Sequence, residues 1–385
     1  MILVYMKATN RCNVGCTHCY LPLEVRADKS RMADETLRSA AAFLSDMRRY
    51  RNGDRVQVLW HGGEPLVLSA DWYWKAGELL DRELPGHFES MQTSLIPLRP
   101  EHVPLILERF EGLIGSSIDF SQRMLGGSVD AYHKLWQKKV DMARNGGIEV
   151  IPGIVPTTNE LGREKWIVDW MVERGFQAFN LDRYNSYGNS FPDRPTNRQH
   201  SYFLDGLFNA LMERMDKYGS APMNGAIRAS ITGVLFGVGG DRWGGSCMND
   251  FVVVEPDGSL NNCPDKSSYE ESYGNITDGY KAFAANKFRR KSIRHQMLGH
   301  KEGHCFSCEN QHFCASGCPI TPNGPAHGEE ECSGYRTYLS AVREFSEKPE
   351  GRATMIAYLN QTDEGSKLDR ATRYGGETNQ GACAA

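Results

Sequence analysis

The stretch Cys12-Asn13-Val14-Gly15-Cys16-Thr17-His18-Cys19-Tyr20 puts three thiols within eight residues, in the spacing C-x3-C-x2-C. Three cysteines on a cubane iron–sulfur cluster leave one iron without a protein ligand, and that open iron can chelate a small molecule and make it reactive. Zinc is the competing occupant, although zinc knuckles favour paired C-x2-C arms. An aromatic residue directly after the third cysteine, here Tyr20, also suits a cluster loop. Working outward, Ile2–Lys7 is an apolar, β-rich run that enters the loop directly, so the loop is expected to follow a first strand.

Downstream the pattern alternates. Asp34 and Glu35 open a helix with the apolar face Leu37, Ala41, Leu44 and Met47, as acids suit a helix start. Strands are expected at 56–60, 88–93, 113–118, 149–155 and 178–182. Helices are expected at 72–84, 100–110, 129–144, 165–174 and 202–218, the one at 129–144 closing on Gly146-Gly147. Strands alternating with helices imply parallel βαβ units, six in all. In barrel-type folds the site lies at the C-terminal ends of the strands, where the cysteine loop falls.

A chain of 385 residues suggests two domains. With 24% charged and 40% hydrophobic residues it reads as globular, and a net charge of −4 makes no case for nucleic acid. No apolar run reaches the ~18 residues of a membrane span, and the N-terminus is not a signal peptide. Eleven cysteines without an export signal read as metal ligands in a reducing, anaerobic cytoplasm rather than as disulfides.

Other motifs follow the expected strands. In Trp60-His61-Gly62-Gly63-Glu64-Pro65 the glycines allow close backbone approach and Glu64 can take an ammonium group; a plain turn is the alternative. Gln92-Thr93-Ser94 and Ser117-Ile118-Asp119 end strands three and four, where ordinary strand-end hydrogen bonding competes with a ligand role. A long loop over 183–199, with Tyr184, Tyr187, Phe191, Arg194 and Arg198, is expected to wall a substrate cavity, or to be plain surface. The glycine-rich stretch 219–245 marks a domain boundary. Cys247 and Cys263 then flank a hairpin turning at Asp257-Gly258, and Cys305, Cys308, Cys314, Cys318 and Cys332 follow. The basic segment 287–294 reads as a solvated face, the tail beyond Gly365 as disordered, and Cys383 as a free thiol.

Cys12, Cys16, Cys19 and Tyr20 resemble the signature of the radical S-adenosylmethionine enzymes. The order C-x10-G-x4-C, C-x2-C-x5-C-x3-C, C closely resembles the SPASM domain that gives such enzymes two auxiliary clusters. The resemblance covers about residues 2 to 340. It implies a partial (β/α)6 TIM-like barrel over 1–220, a C-terminal iron–sulfur SPASM domain over 221–345, and a short helix with a tail over 346–385. It implies a [4Fe–4S] cluster on Cys12, Cys16 and Cys19 whose free iron binds S-adenosylmethionine, with cofactor contacts from His18, Gly62, Gly63, Glu64, Thr93, Ser94, Ser117 and Arg123. Ser117 and Asp119 match a strand-four pattern of sulfatase-maturing relatives. Cys305, Cys308, Cys314 and Cys332 would hold an outer cluster, and Cys247, Cys263 and Cys318 an inner one.

Two departures bear on the chemistry. Fully ligated relatives carry a further cysteine six residues before the first; here that position is Asp241, which would ligate the iron, act as a base beside an open iron, or simply sit in the turn Gly239-Gly240-Asp241. Sulfatase-maturing relatives carry an aspartate directly after the position of Cys263; here Pro264 intervenes and Asp265 is one place on. Asp241 and Asp265 are therefore the candidate catalytic residues. The resemblance implies a maturase that abstracts hydrogen from a peptide or protein side chain for an oxidative modification such as a crosslink. The alternatives are formylglycine formation, dehydrogenation or epimerisation of a small molecule, and a non-catalytic iron–sulfur electron carrier, which would have no need of Gly62-Gly63-Glu64. Because the chain opens at strand one, no N-terminal leader-recognition module is expected. The implied partners are a peptide or protein substrate and an electron donor of flavodoxin or ferredoxin type, with no nucleic acid and no membrane.

Overall fold

Eight consecutive buried residues, Ile2–Thr9, form the first strand, β1. The computed structural model describes residues 1–19, 21–183, 193–261, 263, 272–299, 303–318, 320–321 and 331–362. After β1 come α1 (Asp34–Tyr50), β2 (Val56–Gly62), α2 (Ala70–Glu83), β3 (Phe88–Thr93), α3 (His102–Arg109), β4 (Leu113–Ser117), α4 (Val129–Asn145) and β5 (Glu149–Ile154). The chain divides into two compact units, the first built from residues 1–153 with 248–292, the second from the described parts of 154–247 and 293–362.

In the first unit every neighbouring pair from β1 to β5 is parallel, as the alternation of elements requires. β1 reads as a continuous apolar run because both its faces are covered. On one face Leu3 and Tyr5 pack with Leu59 and Val253; Trp60, on the other, meets Trp72 and Tyr73 of α2 edge to face. The face of α1 buries Leu37, Ala41, Leu44 and Met47, the four residues its periodicity selects. The hairpin expected around Asp257-Gly258 forms, pairing Val253 with Asn261 and Val254 with Leu260. Its first strand, Phe251–Val254, runs parallel to β1 with Leu3 opposite Phe251, so β1 has a neighbour on each side. In Lys287–Arg294, Arg290, Lys291 and Arg294 are exposed as expected. Arg289 is not: it is buried over the Phe283 ring and donates to the Asn249 side chain at 3.0 Å, because its guanidinium finds both an aromatic face and an acceptor there.

In the second unit the buried strand Ala178–Leu181 pairs in parallel with Met223–Asn224. The helix Asn197–Tyr218 starts five residues before the expected Tyr202, since Thr196 and Gln199 form a reciprocal capping box; the loop read over 183–199 is thus shorter. The glycine-rich stretch 219–245 contains a twelve-residue helix, Gly225–Phe236, capped by the Asn224 side chain and closed by Gly237 in the left-handed region. Gly233 within it lets the Phe313 ring lie where a Cβ would be. The helices Arg336–Glu347 and Pro349–Leu359 complete the unit. The expectations for Tyr20, Tyr184, Tyr187, Phe191, the tail beyond Gly365 and Cys383 lie outside the described residues. Among the described residues no helix is long and apolar enough to cross a membrane.

Candidate active site

Two short segments clasp the cysteine loop. Gly15–Cys16 pairs antiparallel with Arg123–Met124 from the chain beyond β4, and the Thr17 N–H donates to the Gln122 carbonyl at 3.0 Å. This brings the Arg123 guanidinium to 3.5 Å from Cys16 Sγ while its Nε donates to Asp119 Oδ2 at 2.6 Å. The same Asp119 oxygen lies 3.5 Å from His18 Nε2. Asp119 is buried with φ of 36°, a conformation unusual for a residue with a Cβ. A cavity of about 440 Å³ opens on Cys12 and Cys16, with Leu23, Arg26 and Met124 around it. Burial pushes the Cys12 thiol up to about 12 and raises Cys16 too, the latter opposed by Arg123. Burial also lowers His18 to about 4, against the pull of Asp119, so its ring is neutral at pH 7.

Gly62-Gly63-Glu64 is joined to this loop through the backbone. Gly63 N–H donates to the Thr9 carbonyl at 3.0 Å and Glu64 N–H to that of Arg11 at 2.9 Å. A Cβ on Gly63 would lie 2.2 Å from the Asn10 carbonyl oxygen, and one on Gly62, whose φ is +136°, 2.2 Å from that of Thr9. The close approach that both glycines permit is to the start of the cysteine loop. Glu64 is buried, and its carboxylate accepts from the Thr93 hydroxyl, from Ser94 N–H at 2.7 Å and from Leu66 N–H at 3.0 Å. Thr93 and Ser94 therefore hold Glu64. Ser117 accepts from Gln92 Nε2 at 2.9 Å through its hydroxyl and from the Tyr132 hydroxyl at 2.7 Å through its carbonyl.

A buried ion pair stands behind the motif, and sequence reading missed it. Lys7 Nζ is 2.6 Å from Glu255 Oε1, and Asn10 donates weakly to the other oxygen. A lysine in an otherwise apolar strand is the signal that could have found it. Burial, with Lys7 next, pushes His61 down to about 3. Tyr132, whose hydroxyl donates to the Ser117 carbonyl, and Arg26, which lines the cavity at Cys12 and Cys16, were also missed, since no spacing announces either.

In the second unit Cys305, Cys308, Cys314 and Cys332 line one cavity together with Gly334, where a Cβ would lie 2.5 Å from Cys314 Sγ. Burial raises the thiols of Cys314 and Cys332, the latter to about 11. Cys247, Cys263 and Cys318 are half-buried. Asp241 occupies a turn, with Trp243 N–H donating to the Gly240 carbonyl at 2.9 Å, at a φ of 52°. Its carboxylate, part-buried, accepts from Arg242 Nε at 3.1 Å, and Arg242 also donates to the Leu181 carbonyl at 2.8 Å and meets His200 Nε2 at 3.0 Å. Arg183, likewise buried, donates to the Tyr335 hydroxyl. Arg194 and Arg198 are described, while Asp265 lies outside the described residues.

The sulfur spacing tests the metal. Among the described residues no trio of cysteines has its sulfurs all within 4.8 Å of one another; only Asp81, His87 and Glu89 cluster that closely, and Arg109 already bridges two of them. Tetrahedral zinc holds thiolates about 3.8 Å apart, whereas a cubane cluster takes them further apart, as the sulfurs stand here. Cys12 and Cys16 of the first loop front an open cavity, which fits a cluster with a free iron, and the quartet lining one small cavity fits a fully ligated one.

No protein-family model matches the chain. It is 22% identical over 350 residues to a serine-type anaerobic sulfatase-maturating enzyme of Klebsiella aerogenes, covering 86% of this chain and 82% of the relative. The chain is similar to the serine-type anaerobic sulfatase-maturating enzymes over most of its length. Its fold matches the native structure of anSMEcpe with bound AdoMet and Kp18Cys peptide, with a TM-score of 0.74 and 19% identity over 92% of this chain and 99% of that one. It matches SuiB of Streptococcus suis bound to S-adenosylmethionine more distantly, with a TM-score of 0.53 and 14% identity over 83% of this chain and 73% of that one. These likenesses carry the fold: the α/β barrel-type core that the sequence resemblance implied.

Proposed function

We propose that the chain is a radical S-adenosylmethionine maturase of the SPASM type, which removes a hydrogen atom from a peptide or protein side chain and so begins an oxidative modification such as a crosslink. The observation that carries this reading is the backbone junction between the cysteine loop and Glu64, which a simple electron carrier would not need. When bound, the cluster and S-adenosylmethionine supply reductive cleavage of the sulfonium and a carbon radical able to take the hydrogen atom. The residues then divide the remaining work. Cys12, Cys16 and Cys19 hold the cluster, and loading it must expel protons from thiols that burial keeps protonated. Glu64, held by Thr93, Ser94 and Leu66, offers the carboxylate that receives the cofactor's ammonium group. Arg123 steadies Cys16 and fixes Asp119 against His18.

Cys305, Cys308, Cys314 and Cys332 hold an outer auxiliary cluster, and Cys247, Cys263 and Cys318 an inner one, for three [4Fe–4S] clusters in all. A donor of flavodoxin or ferredoxin type supplies the electron, in a reducing cytoplasm. The peptide substrate is supported by the peptide-bound structure of anSMEcpe. A second reading, formylglycine formation, is favoured by the similarity to serine-type sulfatase-maturating enzymes.

The test is anaerobic. Reconstituted protein with dithionite and S-adenosylmethionine should release 5′-deoxyadenosine, and the triple Cys12/Cys16/Cys19→Ala variant should keep its auxiliary iron and release none. Cleavage by that variant would refute the assignment. A sulfatase peptide separates the two readings, because formylglycine formation removes two hydrogens from its target serine.

A further inference from the structure

Gln296 is buried, 3% exposed, in the wide helical turn His295–Gly299 that continues from Lys287–Arg294. Its Nε2 lies 2.9 Å from Cys247 Sγ, and both residues belong to the second unit. A side-chain amide carries two N–H donors, whereas a thiolate can only accept, so the nitrogen is the end that serves the sulfur. Glutamine is mostly an exposed residue, and burying its amide costs free energy unless it is hydrogen-bonded. The π-type turn is itself rare, and such turns are found mostly at functional sites because the extra residue re-aims a side chain out of the helical register. Here the re-aimed side chain is the one on Cys247.

We propose that Gln296 is a positioning residue for the auxiliary cluster held by Cys247, its amide N–H donating to the thiolate and setting that cluster's reduction potential. The inference rests on the reading that Cys247 is a cluster ligand. A thiolate that accepts a hydrogen bond gives less electron density to iron, so the reduced cluster is easier to reach; hydrogen bonds to sulfur are among the levers that set such potentials. The contact matters more here than in a fully ligated relative, because Asp241 stands where a further cysteine would be and its carboxylate is engaged by Arg242. With that thiolate replaced, the donor on Cys247 is a means this chain has of adjusting the site.

The test uses full-length, anaerobically reconstituted protein and a redox titration followed by electron paramagnetic resonance, with iron counted per chain. Gln296→Met keeps the bulk and removes the donor; Gln296→Glu keeps the shape and replaces the donor with an acceptor. The expected result is full iron in both, with one auxiliary signal moved to more negative potential, further in Gln296→Glu, and the other two clusters unmoved. Unchanged potentials with full iron would overturn the inference. Loss of about four irons in both variants would also overturn it, in favour of a ligating or folding role. If the unaltered protein held only one cluster's worth of iron, the reading of Cys247 itself would fall, before any variant was made.

Discussion

Replacing Gly63 by alanine tests the junction on which the site depends. Gly63 does not have a positive φ, so alanine meets no backbone strain there, only contact. The added Cβ would stand 2.2 Å from the Asn10 carbonyl oxygen and 2.5 Å from that of Arg11. Both are backbone atoms that cannot rotate away, and an ordinary carbon–oxygen contact needs about 1 Å more. The Gly63–Glu64 segment and the cysteine loop must therefore part, which stretches the bonds to Thr9 and Arg11 at 3.0 and 2.9 Å. Two such bonds at about 1 kcal/mol each, with about 1–3 kcal/mol of overpacking, give a loss of roughly 3–5 kcal/mol. Part of it would appear in global stability and part as misplacement of Glu64. Denaturant midpoints give the first quantity, and 5′-deoxyadenosine formation at saturating and limiting S-adenosylmethionine the second. Gly53→Asn, at a turn with φ of +85° and nothing within 4 Å, is the control: it should lose about 1 kcal/mol of stability to backbone strain and keep the cofactor dependence of the unaltered protein. If Gly63→Ala kept full stability and unchanged cofactor dependence, the junction would be incidental and the argument from it wrong.

Three further outcomes are expected. Glu64→Gln puts an amide among groups that all donate to it, so it should lose roughly 2–4 kcal/mol of stability and weaken S-adenosylmethionine binding at least about tenfold, measured by calorimetry on the loaded enzyme. His61→Gln should reduce acid sensitivity. The folded ring titrates near 3 against an ordinary 6.5, so between those values the unfolded chain binds the extra proton and stability falls as pH falls; the variant lacks that loss, and denaturant midpoints compared across the window would show it. Cys314→Ser should cost one auxiliary cluster, about four irons, and leave S-adenosylmethionine cleavage in place, as iron analysis and product assay together would report.

The strands were legible because β1 is a continuous buried run and the later strands alternate regularly with helices, and the face of α1 was legible from its period. The start of the helix at Asn197 was not, because the Thr196–Gln199 cap lies in a polar stretch that reads as loop. The helix Gly225–Phe236 was hidden by its own glycines, one of which serves the Phe313 ring rather than a turn. At the site, the cysteines were legible because ligand chemistry imposes spacing. The support of Glu64 by Thr93, 29 residues away, and the re-aiming of Gln296 onto Cys247 depend on how the chain returns on itself, which local pattern does not encode.

The strand beside β1 also has a consequence in time. Lys7 and Glu255, which meet at the end of that pairing, are 248 residues apart. At ribosomal rates of 5–20 residues per second, one edge of β1 waits about 12–50 s for its neighbour to be synthesised. An apolar strand with an unpaired edge is a template for the wrong partner. The single buried lysine in β1 discourages such pairing until the carboxylate that neutralises it arrives, so the charge that completes the folded sheet also guards the nascent one. A chain cut after residue 220 would never receive that neighbour, and should aggregate rather than yield an isolated barrel.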